Sequence, residues 1–282
     1  MTLRIAVPNK GTLAGPAAQM LREAGYRQRS DDRDLVCRDP DNDVEFFYLR
    51  PRDIATYVGS GDLDLGITGR DLLVDAGHGA EEILDLGFGG ATFRFAARPD
   101  TLTDLGQLAG RRIATAYPGV VGRHLRELGI DAEVVQLDGA VENAVRLGVA
   151  DVIADVVSTG ATLRQAGLEP VGKPILESSA LLVRRIGAPG DGPVSQLLRR
   201  LQGVLVARRY VMLAYDVRAD QVEEACALSP GIESPTISPL RKEGWVAVQA
   251  MVARAEVHRI MDELYDLGAR AILVTDIHAC RL

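Results

Sequence analysis

Short apolar runs alternate with longer amphipathic stretches through the first 180 residues. LRIAV (3–7), EFFYL (45–49) and LDLGIT (63–68) have the length and composition of strands, and each precedes a segment with helical spacing of its apolar positions. The alternation continues through RRIATAYP, AEVVQL and DVIADVV. This rhythm predicts an α/β fold, a mostly parallel sheet with helices on its faces.

The pattern changes at Tyr210. A strand (YVMLAYDV), a helix (RADQVEEACAL), two strands (PTISPL and GWVAVQAMV), a helix (AEVHRIMDELYDLG) and a last strand (AILVTDI) follow one another to the end of the chain. The order βαββαβ is that of the ferredoxin-like unit. We therefore expect a small C-terminal domain over residues 210–282, after a Gly- and Pro-rich stretch at 187–193 and one helix.

The charge balance limits the partners of the chain. Of its 282 residues 47% are hydrophobic and 25% are charged, with a formal net charge of -7. This composition is typical of a globular protein, and the net negative charge argues against a surface built for nucleic acid. An anionic ligand would have to be held by local features such as loops, helix ends or a few cations.

Cysteine usage and hydropathy predict a compartment. The three cysteines are an odd number without a CxxC pair, which favours a reducing environment. The first residues, MTLRIAVPNKG, do not read as a signal peptide, and no apolar run reaches the length of a membrane span. We expect a cytoplasmic protein that does not contact a membrane.

The stretch DVIADVVSTGATL (151–163) places an acid inside an apolar strand and then five small or hydroxyl-bearing residues. If the strand ends at 157, Ser158 is the N-cap of a helix whose first turn offers N–H groups and hydroxyls to a phosphate. Asp155 would then lie beside the hydroxyls of a phosphorylated sugar. The residues alone are equally compatible with a simple capping serine and a strand-end acid.

Other predicted strands also end in polar residues. The carboxyl ends of neighbouring parallel strands meet at one edge of a sheet, so these residues should line one crevice. Each also has an ordinary structural explanation, such as a surface lysine, a helix-start ion pair or a cap. The candidates are Lys10, Arg50, Asp71, Tyr117 and Glu142.

Six motifs, taken together and in order, resemble the long-form ATP phosphoribosyltransferase family: AVPNKG, GITGRDLL, ATAYP, LDGAVE, ADVVSTGATL and GIESPTISPL. They extend over essentially the whole chain. The resemblance implies a two-lobed catalytic core like that of type II periplasmic binding proteins, followed by a regulatory domain. The implied ranges are 1–93 with a return segment 180–207 for lobe I, 94–179 for lobe II, and 210–282 for the regulatory domain.

The resemblance also implies a reaction and residue roles. The phosphoribosyl group of 5-phosphoribosyl 1-pyrophosphate passes to N1 of ATP with release of pyrophosphate, which is the first step of L-histidine biosynthesis. Asp155, Lys10 and Arg50 are the implied catalytic residues, and Asp71, Tyr117 and Glu142 help to place ATP. Mg²⁺ is implied as cofactor, bound mainly through pyrophosphate, with its protein ligands undefined. The implied phosphoribosyl-binding residues are Asp155, Ser158, Thr159, Gly160, Ala161 and Thr162.

For the C-terminal domain the resemblance implies feedback inhibition by histidine. From the residues alone, GIESPT is as readily explained as a turn into a strand. AMP is implied as a further inhibitor, and dimers that assemble into a hexamer as the oligomer. The implied histidine-binding residues are Asp216, Ile232, Ser234, Thr236 and Ala271.

The principal alternative is a cytoplasmic two-lobed binding or sensor protein without catalysis. It would share the architecture and bind a phosphorylated or acidic small molecule. Formation of the adduct of the two substrates discriminates between the two functions.

Overall fold

The computed structural model describes residues 2–77, 79–102, 104–190 and 192–281. Residues 1, 78, 103, 191 and 282 of the predicted domain ranges lie outside it. The chain divides into two compact units, a larger one that takes in most of the chain up to residue 190 and a smaller one from Gly192 onward that also includes Glu23–Gly25.

The strands, in chain order, are β1 Leu3–Pro8, β2 Val36–Asp39, β3 Val44–Leu49, β4 Leu65–Gly69, β5 Ala80–Asp85, β6 Ala91–Ala97, β7 Arg112–Thr115, β8 Glu133–Gln136, β9 Val152–Val157, β10 Glu169–Ser178, β11 Ala180–Arg185, β12 Tyr210–Arg218, β13 Thr236–Pro239, β14 Trp245–Ala253 and β15 Arg270–Asp276. The helices are α1 Ala14–Glu23, α2 Pro51–Ser60, α3 Arg70–Ala76, α4 Pro118–Leu128, α5 Ala161–Gln165, α6 Pro193–Arg209, α7 Val222–Leu228 and α8 Val257–Leu267. Short 3₁₀ turns occupy Leu105–Leu108, Val141–Asn143 and Ala219–Gln221.

Two sheets form the larger unit, one in each lobe. The first has the order β2-β3-β1-β4-β11-β5 and the second the order β10-β6-β9-β7-β8. In the first, β1 runs parallel to β3 and β4, and β11 is inserted antiparallel between β4 and β5. In the second, β7 runs parallel to β8 and β9, and β6 lies antiparallel between β9 and β10. The chain thus leaves the first sheet after β5, forms the second sheet from β6 to β10, and returns to the first sheet with β11. This two-lobed α/β architecture confirms the predicted fold class.

Local sequence explains why these elements begin and end where they do. β1 is central in its sheet, and its apolar run is buried on both faces, as expected of a covered parallel strand. α2 begins with a proline at its first position, where a missing N–H costs nothing, and ends at Gly61 in the left-handed conformation. α4 likewise begins with a proline, Pro118, and is followed by a glycine in the left-handed conformation, Gly129.

The crossovers lie close to the predicted lobe boundaries but differ in detail. β6 belongs wholly to the second sheet, so a boundary after residue 93 falls inside that strand. Of the predicted return segment 180–207, β11 joins the first sheet, whereas α6 groups with the C-terminal unit. The reason is continuity, because α6 runs into β12 without an intervening loop.

The C-terminal unit is a four-stranded antiparallel sheet of order β13-β14-β12-β15. Alternate residues of β12 are buried, and Val257, Ile260 and Leu264 of α8 contribute to the same core. This sheet order confirms the predicted ferredoxin-like domain. In neither unit do the described residues include a helix long and apolar enough to cross a membrane.

Candidate active site

A cavity of about 430 Å³ lies in the larger unit where strands of both sheets end. Its walls come from the segments after β1, β4 and β7, from the end of β9, and from both crossovers between the sheets. The lining residues are Lys10, Gly11, Thr12, Leu13, Pro51, Gly69, Asp71, Leu72, Gly89, Gly90, Ala91, Tyr117, Val156, Ser158, Ser178 and Ser179.

The structure brings most of the predicted crevice residues together. Lys10, Asp71, Tyr117 and Ser158 line the large cavity. A second cavity of about 100 Å³ shares Val156 and Ser158 with the first. The site residues predicted from the sequence that line this second cavity are Glu142, Asp155, Ser158, Thr159, Gly160 and Thr162.

The loop after β9 differs from the sequence-based expectation. β9 ends at Val157 as predicted, but the helix begins at Ala161, so the N-cap is Gly160 and not Ser158. The reason is the left-handed backbone of Gly160, with φ of 70°, which lets three residues form a separate loop before the helix. The hydroxyl-bearing Ser158 and Thr159 are exposed in that loop, and the Thr159 hydroxyl accepts from the Ala161 N–H at 3.4 Å.

Asp155 is a half-buried acid near the end of β9. Burial raises the pKa of its carboxyl above the usual value. The Val156 N–H opposes this by donating to the carboxylate at 2.7 Å, and the negative charges of Glu142 and Asp71 raise the pKa further. Because burial disfavours the charged form of Asp155, a cationic group placed beside the carboxylate would interact with it strongly.

Asp71 is 7% exposed at the start of α3 and is oriented by Ser178. The Ser178 hydroxyl donates to Asp71 Oδ1 at 2.6 Å, and the Asp71 N–H donates to the same hydroxyl at 3.1 Å. Ser178 was not among the residues predicted from the sequence. It lies 107 residues from Asp71 along the chain, at the end of a crossover strand, and nothing in its local sequence distinguishes it.

Tyr117 is fixed from several sides. Its ring packs edge-on against Phe93 with centroids 5.2 Å apart, and the Arg52 guanidinium lies 5.0 Å from the ring centroid. Burial raises the pKa of the phenol far above its usual value, and the negative charge of the nearby Asp71 carboxylate adds to the shift. Tyr117 is therefore a neutral hydrogen-bond donor at physiological pH.

The two basic residues among the predicted catalytic residues, Lys10 and Arg50, lie in different surroundings. Lys10 is exposed and borders both the large cavity and a neighbouring one of about 360 Å³, which is also lined by Asn9, Arg29 and Tyr48. The side-chain oxygen of Asn9 is buried and has no hydrogen-bond partner among the described residues. Arg50 is exposed at the N-cap of α2 and lies outside the lining of the large cavity.

Two further points on the predicted site concern the position of Ala161 and the side chains that could bind a metal ion. Ala161 is exposed at the first position of α5 and does not line the small cavity. Within the described ranges, no three or more His, Cys, Asp or Glu side chains are grouped closely enough to hold a metal ion. Asp71 and Asp155 supply single carboxylates, which suits a cation that keeps most of its ligands from substrate oxygens.

The predicted regulatory residues lie in the C-terminal unit. Asp216 is half-buried on the sheet face opposite the helices and is paired with Ala247 of β14 and Arg270 of β15. Ala271 is exposed next to this pair, with a positive φ of 50°. Thr236 is exposed at the start of β13, and the exposed Ile232 and Ser234 precede it in the loop.

Comparison with known proteins agrees with this architecture. Residues 50–203 match the ATP phosphoribosyltransferase family, and residues 207–279 match the domain described as HisG, C-terminal domain. An ATP phosphoribosyltransferase of Salinispora tropica is 71% identical over 99% of this chain and all of its own length, and one of Streptomyces avermitilis is 64% identical with the same coverage. Among solved structures, a chain of the ATP phosphoribosyl transferase (HisG:HisZ) complex from Thermotoga maritima aligns with a TM-score of 0.59 at 26% identity, covering 71% of this chain and 96% of its own. The chain therefore belongs to the ATP phosphoribosyltransferase family.

Proposed function

We propose that the crevice carries out the reaction of this family through the residues that converge on it. The reaction transfers the phosphoribosyl group of 5-phosphoribosyl 1-pyrophosphate to N1 of ATP, as the first step of L-histidine biosynthesis. One observation carries the assignment of the site: Lys10, Asp71, Tyr117 and Ser158, from four separate segments, line one cavity that adjoins the cavity beside Asp155.

Asp155 stabilises charge in the transition state. The bond between C1 of the ribose and the pyrophosphate oxygen breaks while N1 of adenine bonds to C1, so the ribose becomes an oxocarbenium-like cation. The Asp155 carboxylate gains most when that positive charge develops, because its burial makes the unpaired anion unfavourable. Adenine N1 attacks with its own lone pair, and Glu142 is therefore assigned to placing the substrate and not to proton removal.

The loop after β9 holds the 5′-phosphate. The hydroxyls of Ser158, Thr159 and Thr162 are the donors, Gly160 permits close backbone approach, and Ala161 contributes its backbone. Asp155 accepts hydrogen bonds from the ribose hydroxyls. Because α5 has only five residues, hydroxyls and loop N–H groups and not a long helix dipole provide the binding energy.

The polyphosphates are assigned to Lys10 and Arg50, with Asp71 and Tyr117 placing the nucleotide. The reaction of this family uses a metal ion, and we assign Mg²⁺ to it, held mainly by pyrophosphate oxygens with Asp71 or Asp155 nearby. When bound, the ion neutralises charge on the leaving group. Lys10 adds a compact cation at the cavity wall.

The C-terminal domain is proposed to bind L-histidine as feedback inhibitor through Asp216, Ile232, Ser234, Thr236 and Ala271. Asp216 is the charged partner for the ligand's ammonium or imidazolium group. AMP is proposed as a second inhibitor at the nucleotide crevice. We further propose a cytoplasmic homo-oligomer in which dimers assemble into a hexamer.

The test is an absorbance assay for the adduct with ATP, 5-phosphoribosyl 1-pyrophosphate and Mg²⁺. Adduct formation that requires all three components is the expected result. Binding of either substrate without adduct would favour the alternative, a two-lobed sensor without catalysis. Omission of each component in turn is the control.

A further inference from the structure

The amino terminus of α4 is capped by a residue of another helix. The first turn of a helix leaves N–H groups without partners, and the N-cap side chain usually accepts from them. The N-cap residue of α4 is Tyr117, whose side chain makes no such bond. Asp75 of α3 does so instead, with Oδ1 accepting from the N–H of Gly119 at 2.8 Å and of Val120 at 3.3 Å.

The same carboxylate reaches a second group. Arg52 of α2 donates to Asp75 Oδ2 at 2.9 Å, and its guanidinium also lies over the Tyr117 ring. The Asp75 side chain is 11% exposed, so the pair is shielded on the acid's side. The two oxygens of Asp75 thus act on Tyr117 in different ways. Oδ1 fixes the first turn of α4, which directly follows Tyr117, and Oδ2 fixes Arg52, which lies over the Tyr117 ring.

This contact joins the two lobes of the larger unit. α3 follows β4 of the first sheet, whereas α4 follows β7 of the second. Arg123 of α4 donates to the Val74 carbonyl at 2.9 Å and strengthens the contact. The approach is close at Gly119, because a Cβ there would meet the Asp75 carbonyl oxygen.

We propose that Asp75 is a positioning residue for the reaction: it caps α4 from the facing lobe and, with Arg52, holds Tyr117 beside Asp71 in the ligand cavity. A conventional N-cap side chain at 117 would satisfy α4 but would leave no aromatic donor in the cavity. Asp75 resolves this conflict by taking over the capping role. The inference rests on the proposed function, in which Tyr117 places ATP.

The test is a double-mutant cycle of D75A and Y117A, with ATP affinity measured by equilibrium titration and kcat and KM measured for both substrates. We expect D75A to weaken ATP binding about fivefold to tenfold, as loss of a cap and of orientation would do, while KM for 5-phosphoribosyl 1-pyrophosphate changes less than twofold. In the Y117A background the D75A substitution should add less than twofold, because its effect passes through Tyr117.

Asp151 provides a matched control. It also accepts from a backbone N–H and an arginine, in this case both of Arg112, but at the opposite end of the second sheet. D151A should lower the melting temperature without changing ATP affinity. D75N, which keeps the size of the side chain and one acceptor oxygen, should show an intermediate loss and serves if D75A does not fold.

Additive losses in the cycle, or equal effects of D75A and D151A on ATP affinity, would overturn the positioning role. These outcomes are separable from failure of the proposed function. If the parent chain binds ATP but forms no adduct, the reaction assignment fails and the cycle on affinity still decides the role of Asp75. If the parent chain does not bind ATP, both fail.

Discussion

The two proposed ligand sites of this chain differ in how they are built. In the larger unit, Asp71 and Asp155 lie at least half-buried at strand ends, among groups from several elements. In the C-terminal unit, Asp216 lies half-buried on the sheet face opposite the helices, and Thr236 and Ala271 are exposed on that sheet's outer strands. In the larger unit, groups from several elements thus surround the acids, whereas the other predicted histidine-binding residues near Asp216 are exposed.

This difference teaches where each site obtains its energy. A carboxylate in a walled crevice is partly desolvated before the ligand arrives, so its interaction with a developing cation is strong. A carboxylate among exposed side chains keeps more of its hydration water. A ligand that binds there must displace this water itself, or a second surface must exclude it. We therefore expect substitutions at the site in the larger unit to change the turnover rate, and substitutions in the C-terminal unit to change inhibition by L-histidine.

The largest expected effect is that of D155N. Turnover should fall by roughly 10²–10³-fold, the usual cost of one preorganised electrostatic group. Steady-state kinetics measures it. A loss below about threefold in this comparison would remove Asp155 from the stabilisation of the transition state.

D155N should also stabilise the fold at neutral pH. The folded-state pKa of Asp155 is raised by burial, so its protonated form is favoured in the folded chain, and the parent loses stability as pH rises through that raised pKa. The variant lacks this loss. Thermal unfolding from pH 4 to 8 should show a D155N advantage that grows with pH, and a shrinking advantage would contradict this sign.

The phosphate loop gives the next effect. G160A places a Cβ on a left-handed residue, with φ of 70°, at a cost of about 1–2 kcal/mol. We expect KM for 5-phosphoribosyl 1-pyrophosphate to rise about tenfold. G167A is the matched control, because Gly167 has φ of 68° and open space around its Cβ position beyond the far end of α5. An equal KM change in both variants would assign the effect to strain alone.

In the module, D216A should weaken inhibition by L-histidine about tenfold or more, as loss of a charge-assisted hydrogen bond would do. Inhibition curves, each normalised to turnover without histidine, measure the change. D220A is the control, since Asp220 is an exposed acid of the same unit paired with Arg218. Unchanged inhibition in D216A would place the effector elsewhere.

The smallest expected effect concerns Tyr215, in the hydrophobic core of the C-terminal unit. The Tyr215 hydroxyl shares a buried hydrogen bond of 2.8 Å with Ser229, and Y215F should lower the free energy of unfolding by about 1 kcal/mol. Burial raises the pKa of Tyr215 to about 12. The parent should therefore lose stability between about pH 10 and 12, as the unfolded phenol ionises first, and Y215F should lack that loss. Denaturant titrations at pH 7 and 11 test both statements.

Prediction from the sequence worked best where periodicity was local. β1, β3, β4, β7, β8 and β9 were predicted, as was the whole βαββαβ module, because each has a continuous apolar run or clean alternation. The edge strand β2 and the strands β5, β6, β10 and β11 next to the crossovers were not identified as strands. β2 is short and mostly exposed. The crossover strands pair with partners far along the chain, and this long-range pairing is what the local sequence does not show.

The start of α5 shows a different limit. A serine after a strand is a good N-cap by composition, and only the backbone geometry of Gly160 moved the cap two residues onward. The rule that parallel strands end at one edge, by contrast, accounts for Lys10 lying on the same side as Asp71, and for Tyr117 lying on the same side as Ser158. That all four line one cavity depends on the two sheets facing each other, which the rule does not cover. Their assigned roles stay predictions until the experiments above are done.

The sequence by itself determined the α/β rhythm of the larger unit, the βαββαβ order of the C-terminal unit, the acids and hydroxyls at strand ends, and the resemblance to a family, because all of these are properties of contiguous segments. Only the tertiary structure decided that Ser178 orients Asp71 and that Asp75 caps α4. Those pairs lie 107 and 44 residues apart. Contacts at such separations depend on which strands exchange between the sheets, and local periodicity carries no information about that exchange.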